Sequence, residues 1–193
     1  MTFLPAGPLV SWYGDDFTGA AAVMEVLTFG GVPSVLFLDL PTPQRLAAFA
    51  GYRGIGIAGV ARSKDPAWMD LHLPPVFEAL AGLGAPIAQY KICSTLDSAP
   101  EVGSIGKALD LAVPALGGAW HPFVVAAPAI GRWQCFGNLF ATFGGTAHRL
   151  DRHPTMSRHP VTPMHEADIR RHLGRQTDRA FGLVDLTDLR SGR

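Results

Sequence analysis

Two adjacent carboxylates close the first apolar run of the chain, where Leu9-Val10-Ser11-Trp12-Tyr13 leads into Gly14-Asp15-Asp16-Phe17-Thr18-Gly19-Ala20. A short strand ends here and a small-residue helix opens at Thr18. In an open parallel sheet the carboxyl end of a strand faces the ligand crevice. Carboxylates placed there beside helix N–H groups can hold hydroxyls, a metal-bound phosphate or a proton in transit. The plainer reading is that one of the two caps the helix. A third apolar run ends in Ala61-Arg62-Ser63-Lys64-Asp65, where an arginine can clamp a carboxylate or phosphate in a bidentate fork. A fourth delivers Tyr90-Lys91-Ile92-Cys93-Ser94-Thr95-Leu96-Asp97-Ser98, a lysine followed by hydroxyls and another acid. Either Lys91 pairs with an Asp while the hydroxyls make turn bonds, or the group binds a substrate. Together the three strand ends carry charges suited to a polyhydroxy acid.

Other motifs fit poorly. Gly103-Ser104-Ile105-Gly106-Lys107 has Ala108 after the lysine and Glu101 in place of the first P-loop glycine, so it is not a Walker A loop. The first strand-helix turn lacks the middle glycine of a dinucleotide fingerprint. Adjacent rather than alternate acids exclude a haloacid-dehalogenase-type phosphatase, and Gly59-Val60-Ala61 lacks the Asp of a response-regulator receiver. Arg132, in the turn Pro128-Ala129-Ile130-Gly131-Arg132, either touches an anion or caps a hairpin. His148, His153, His159 and His165 fit no metal-ligand spacing and read as loop residues. Cys93 has no activating histidine nearby in sequence and reads as a small packed residue.

The elements that must position these groups alternate. Strands are expected over residues 9–13, 34–38, 54–59, 87–92 and 123–127. Helices are expected over 18–29, 43–50, 66–83 and 104–116, with Pro74-Pro75 breaking or restarting the third. Alternation of this kind predicts an open, mainly parallel α/β sheet with helices on both faces. A β-hairpin follows, residues 133–143 and 148–150 about Gly144-Gly145, outside the main sheet. Then come a polar loop over 151–160, a helix from Thr162 to about Gln176, and a strand over 181–186. The chain has 193 residues, 48% of them hydrophobic and 17% charged, with zero formal net charge, which excludes a disordered chain and leaves no electrostatic footprint for nucleic acid. Two cysteines make no disulfide framework, no stretch has membrane-spanning length, and no signal peptide is indicated, so a cytoplasmic setting is expected.

The ordered set of motifs resembles the four-carbon acid sugar kinases from about Leu9 to Leu186. It comprises the Gly14–Ala20 segment, Arg62-Ser63, the run from Tyr90 to Ser98, Gly103-Ser104-Ile105-Gly106 and the Gly-Arg turn of residues 128–137. The run from Asp151 to Met164 completes it. The resemblance implies ATP-dependent phosphorylation of a sugar acid such as erythronate, threonate or a 3-oxo-tetronate. It further implies an N-terminal α/β domain that holds the acid and a C-terminal domain that binds the nucleotide. Residues 1–193 then correspond to the substrate-binding domain, and ATP and Mg²⁺ belong to the full-length family, with neither expected to bind tightly to this chain. The nucleotide domain, or a separate chain supplying it, is the expected partner, and a homo-oligomer is a further possibility; nucleic acid and membrane are not. Within this frame Arg62 and Lys91 face the anionic end of the substrate. Asp15 and Asp16 accept from hydroxyls, with Asp16 as base, and Ser94, Thr95 and Asp97 orient the chain. Charge reversal at Arg62 is expected to abolish binding at little cost in stability. The alternatives are a non-catalytic sugar-acid-binding module and an inactive remnant.

Overall fold

The strand that delivers the acid pair lies inside the sheet, between two parallel neighbours. Strand β1 (Val10–Gly14) is buried from Ser11 onward, and its parallel neighbour β3 (Gly54–Ala58) is buried throughout. Strands β2 (Ser34–Phe37) and β4 (Ile87–Lys91) flank them, giving the all-parallel order β2-β3-β1-β4. Register sets Gly14 opposite both Ala58 and Lys91, so three strand ends finish level with one another. The computed structural model describes residues 4–192. It divides into two units, one of residues up to Ile92 with Leu111–Gly118, the other of Cys93–Asp110 with the residues from Ala119 on.

In the first unit, helix α1 (Phe17–Phe29) lies over β3 and β2, while α3 (Pro66–Gly82) packs on β1. The short α2 (Pro43–Ala47) joins β2 to β3, ending before the expected Ala50. With right-handed crossovers, the connections leaving β1 and β3 run to opposite faces of the sheet, and the crevice opens between those two strand ends. Helix α1 begins at Asp16, whose extended backbone and side chain cap it. It presses on the strand end so closely that a Cβ at Gly14 would stand 2.4 Å from that of Ala20. Helix α3 runs through Pro74-Pro75 without a break, contrary to expectation: Leu73, Val76, Phe77 and Leu80 are buried on either side of the prolines, and this burial offsets the missing N–H bonds.

In the second unit, β5 (Arg132–Cys135), β6 (Asn138–Phe143) and β7 (Thr146–Arg149) form an antiparallel sheet. The Gly144-Gly145 turn stands as expected, both residues having positive φ. A second two-residue turn at Phe136-Gly137, with φ of 49° and 79°, splits the expected strand 133–143 in two. Three expectations for this unit are overturned. Residues 123–127 form no strand, because the Gln134 side chain accepts from Val125 N–H and donates to Phe123 C=O, taking up backbone groups that a ladder needs. The helix expected from Thr162 shrinks to α5 (Ile169–Leu173), because Thr162 gives its N–H to His159 Nδ1 and Met164 gives its own to Met156 C=O. Asp168 is the actual cap. Residues 181–186 are likewise no strand; they lead into α6 (Leu186–Ser191), started by a reciprocal Asp185–Asp188 capping box. Helix α4 (Ile105–Leu116) starts with Ser104 Oγ accepting from Lys107 N–H, and its residues are shared between the two units. Among the described residues no helix is long and apolar enough to cross a membrane.

Candidate functional site

The ends of β1, β3 and β4 bring four of the seven expected residues together. Asp15 follows β1 and is 1% exposed. Arg62 sits in a 3-10 turn (Ala61–Ser63) just past β3, and its N–H bonds to the Asp15 carbonyl at 3.0 Å. Its guanidinium grips Asp15 as a fork, Nη2 to Oδ1 at 2.6 Å and Nε to Oδ2 at 3.2 Å. The remaining arm, Nη1, reaches Asp16 Oδ2 at 2.8 Å. Asp16 Oδ1 meanwhile accepts the Gly19 N–H at 2.7 Å. Asp16 therefore caps the helix and also belongs to the charged cluster. Its side chain is 31% exposed against 2% for Asp15, so Asp16 is the acid that a ligand can reach.

Lys91 closes the group. Its carbonyl accepts the Asp15 N–H at 3.0 Å, and its ammonium donates to the Ile92 carbonyl. That ammonium lies against the first turn of α1, 3.3 Å from where a Cβ on Gly19 would be. Burial raises the Asp15 carboxyl above its ordinary range; Arg62 and Lys91 pull it down, and Asp16 adds to the rise. Beneath the acids lie two phenols that the sequence reading missed. Tyr13 and Tyr90 face each other across β1 and β4 with rings stacked 5.7 Å apart. Burial pushes the Tyr13 phenol up to about 12 and Tyr90 well above its usual value, so both are neutral donors at pH 7. Their signal was positional: each stands one residue before a strand-end residue already singled out.

The low stability cost expected for changing Arg62 does not survive this geometry. Arg62 is the partner of a buried carboxylate rather than a loop charge in water.

Ser94, Thr95 and Asp97 open the second unit. Thr95 Oγ1 donates to Asp97 Oδ1 at 2.8 Å and lies 3.0 Å from Cys93 Sγ, while Ser94 is half-buried. Leu96 between them is buried with φ of 58°, a conformation that a leucine keeps only under constraint. Its carbonyl accepts the Ser98 hydroxyl at 3.1 Å, which ties the turn to a polar network unseen in the sequence. Ser98 Oγ is 2.9 Å from His172 Nε2 and 3.0 Å from Gln176 Nε2, and Gln176 Oε1 takes the Gly106 N–H at 3.1 Å. Burial holds His172 down to about 4. Residues 103–106 are thereby filled by Gln176, which would stand 2.5 Å from a Cβ on Gly106, and they do not fit a nucleotide phosphate. Among the described residues no three of His, Cys, Asp or Glu are grouped as metal ligands.

Residues 10–193 match the family described as the sugar-binding N-terminal domain. The chain belongs to the four-carbon acid sugar kinase family. It is 57% identical over 189 residues to the 3-oxo-isoapionate kinase of Paraburkholderia graminis, covering 98% of this chain and 40% of that protein. It is 31% identical to the 3-oxo-tetronate kinase of Burkholderia multivorans, covering 95% and 41%. The chain thus spans about 40% of the length of these kinases. Haemophilus influenzae protein HI1011 has the same fold, with a TM-score of 0.80 at 27% identity over 94% of this chain and 42% of that one.

Proposed function

We propose that this chain is the substrate-binding domain, residues 1–193, of a cytoplasmic ATP-dependent kinase that phosphorylates a small sugar acid. The observation that carries the reading is the charged corner at the β1–β3 crevice, where Asp15, Asp16, Arg62 and Lys91 converge. A sugar acid presents one carboxylate and several hydroxyls. Arg62 and Lys91 bind the carboxylate, and the acids accept hydrogen bonds from hydroxyls. Asp16, the reachable acid, takes the proton of the attacking hydroxyl. ATP, with Mg²⁺, supplies the phosphoryl group. Residues 103–106 do not fit a nucleotide phosphate, and the resemblance assigns nucleotide binding to a C-terminal domain or to a separate chain supplying it. The likeness to a 3-oxo-isoapionate kinase makes 3-oxo-isoapionate the first candidate substrate, ahead of 3-oxo-tetronate.

Calorimetric titration of the purified chain with 3-oxo-isoapionate, 3-oxo-tetronate, erythronate and threonate tests this. One of them should bind selectively, and Lys91→Gln should weaken it about tenfold or more, as loss of a charged hydrogen bond does. ADP release from the chain alone should stay at background. Failure of every sugar acid to bind would overturn the proposal.

A further inference from the structure

We propose that Arg132, His148 and His153 form a binding site for a small oxyanion, a phosphoryl or carboxylate group, on the second unit. Register places Arg132 opposite Ala141 on β6, and Ala141 opposite His148 on β7. Residues in one cross-strand row project from the same face, so the arginine and the histidine stand on either side of a small, fully buried alanine. His153 joins them from the loop after β7. Its ring lies 6.0 Å from that of His148 and 5.6 Å from that of Phe143, the next residue along β6 on this face.

Three features mark this as a place for a negative ligand. His153 is 5% exposed, and its Nδ1 accepts the N–H groups of Thr155 and Met156, both at 3.2 Å, which puts the proton of the neutral ring on Nε2. That Nε2 is buried and has only a weak interaction with the Thr142 carbonyl, while Arg132 Nε is buried with no hydrogen-bond partner among the described residues. A buried donor without an acceptor is costly, and an oxyanion has lone pairs enough for Arg132 Nε and for the weakly held His153 Nε2 alike. Arg132 is also held in place: its Nη1 donates to the carbonyls of Ile130 and Gly131, both at 3.1 Å. Finally, Arg149 pairs with Asp151 and Arg170 with Asp168, and among the described residues no carboxylate forms an ion pair with Arg132 or His148. Burial and the charges of Arg132 and His148 hold His153 below its ordinary range, against the pull of the Thr142 carbonyl, so it acts as a neutral donor at pH 7.

The test is NMR of the histidine-labelled chain titrated with sodium phosphate and, separately, with sodium acetate, each against sodium chloride at matched ionic strength. His148 and His153 should shift saturably with at least one of the first two. A response to phosphate alone identifies a phosphoryl site, and a response to acetate identifies a carboxylate site. Arg132→Gln should weaken the binding about tenfold or more. Should that variant not fold, Arg132→Lys, which keeps the charge and loses the Nε donor, replaces it. No saturable shift in the unaltered chain, or affinity unchanged in a folded Arg132 variant, overturns the proposal. The probes are not sugar acids, so the result does not depend on the reading of the Asp15 corner.

Discussion

Truncating Arg62 to alanine leaves Asp15 as a carboxylate 1% exposed, with Asp16 beside it and Lys91 the remaining counter-charge. Removing one partner of a buried ion pair costs about 3–5 kcal/mol. The lower end applies here, since Lys91 remains and Asp15 can escape by taking a proton. We expect a loss of about 3 kcal/mol at pH 7, which for a chain of this size lowers Tm by roughly 6–12 °C. The loss should also depend on pH. With its carboxyl raised in the folded state, Asp15 binds more protons there than in the unfolded chain. Its contribution is therefore full below the ordinary carboxylate range and is lost as pH rises through the raised value. Arg62→Ala removes the arginine's lowering influence and raises that value further, so its deficit should be largest at neutral pH and shrink on acidification. Urea unfolding at pH 7 and pH 4.5, with the double variant Asp15→Leu/Arg62→Met for comparison, measures this; the double variant should recover most of the loss. A deficit below about 1 kcal/mol that is equal at both pH values would place Arg62 among ordinary surface ion pairs and refute the reasoning.

Gly14→Ala should cost about 1–3 kcal/mol in chemical denaturation, because its methyl would stand 2.4 Å from that of Ala20 and the strand–helix corner has no room to give. His172, held near 4 in the folded state against 6.5 ordinarily, should make stability fall by about 3 kcal/mol as pH drops from 6.5 to 4. His172→Gln should flatten that part of the profile. Phe136→Asn should stabilise the protein by about 1 kcal/mol, observed as a higher urea midpoint, since asparagine tolerates the positive φ that phenylalanine holds in the first hairpin turn.

Much of the first unit was legible because its strands are continuous apolar runs bounded by turn residues, and period and punctuation agree there. The acid corner was legible for the same reason, since Asp15, Arg62 and Lys91 each stand at the carboxyl end of such a run. The second unit was misread where a side chain competes with secondary structure. Phe123-Val124-Val125-Ala126-Ala127 has the composition of a buried strand, yet one glutamine from β5 takes its hydrogen bonds. Thr162-Pro163 has the form of a helix start, yet the threonine is turned toward His159. Ser98 and His172 are 74 positions apart, and their bond follows from tertiary packing that no local pattern announces. The stacked phenols were hidden differently: only the β1–β4 register makes Tyr13 and Tyr90 neighbours.

The contact between Gly14 and Ala20 makes the two sides of the charged corner mechanically unequal. Asp15 and Asp16 ride on a strand and a helix locked methyl-to-backbone, and Asp16 is also pinned by its own cap bond. Arg62 rides on a single 3-10 turn at the end of a flexible side chain. The acids are the anvil and the arginine is the arm. On the proposed reading of this corner, selection for a sugar acid of different length or branching acts on the turn around Arg62 while leaving residues 14–20 alone. An engineer acting on that reading should vary Val60, Ser63 and Lys64 around a retained Arg62 first and leave the Asp-Asp corner untouched.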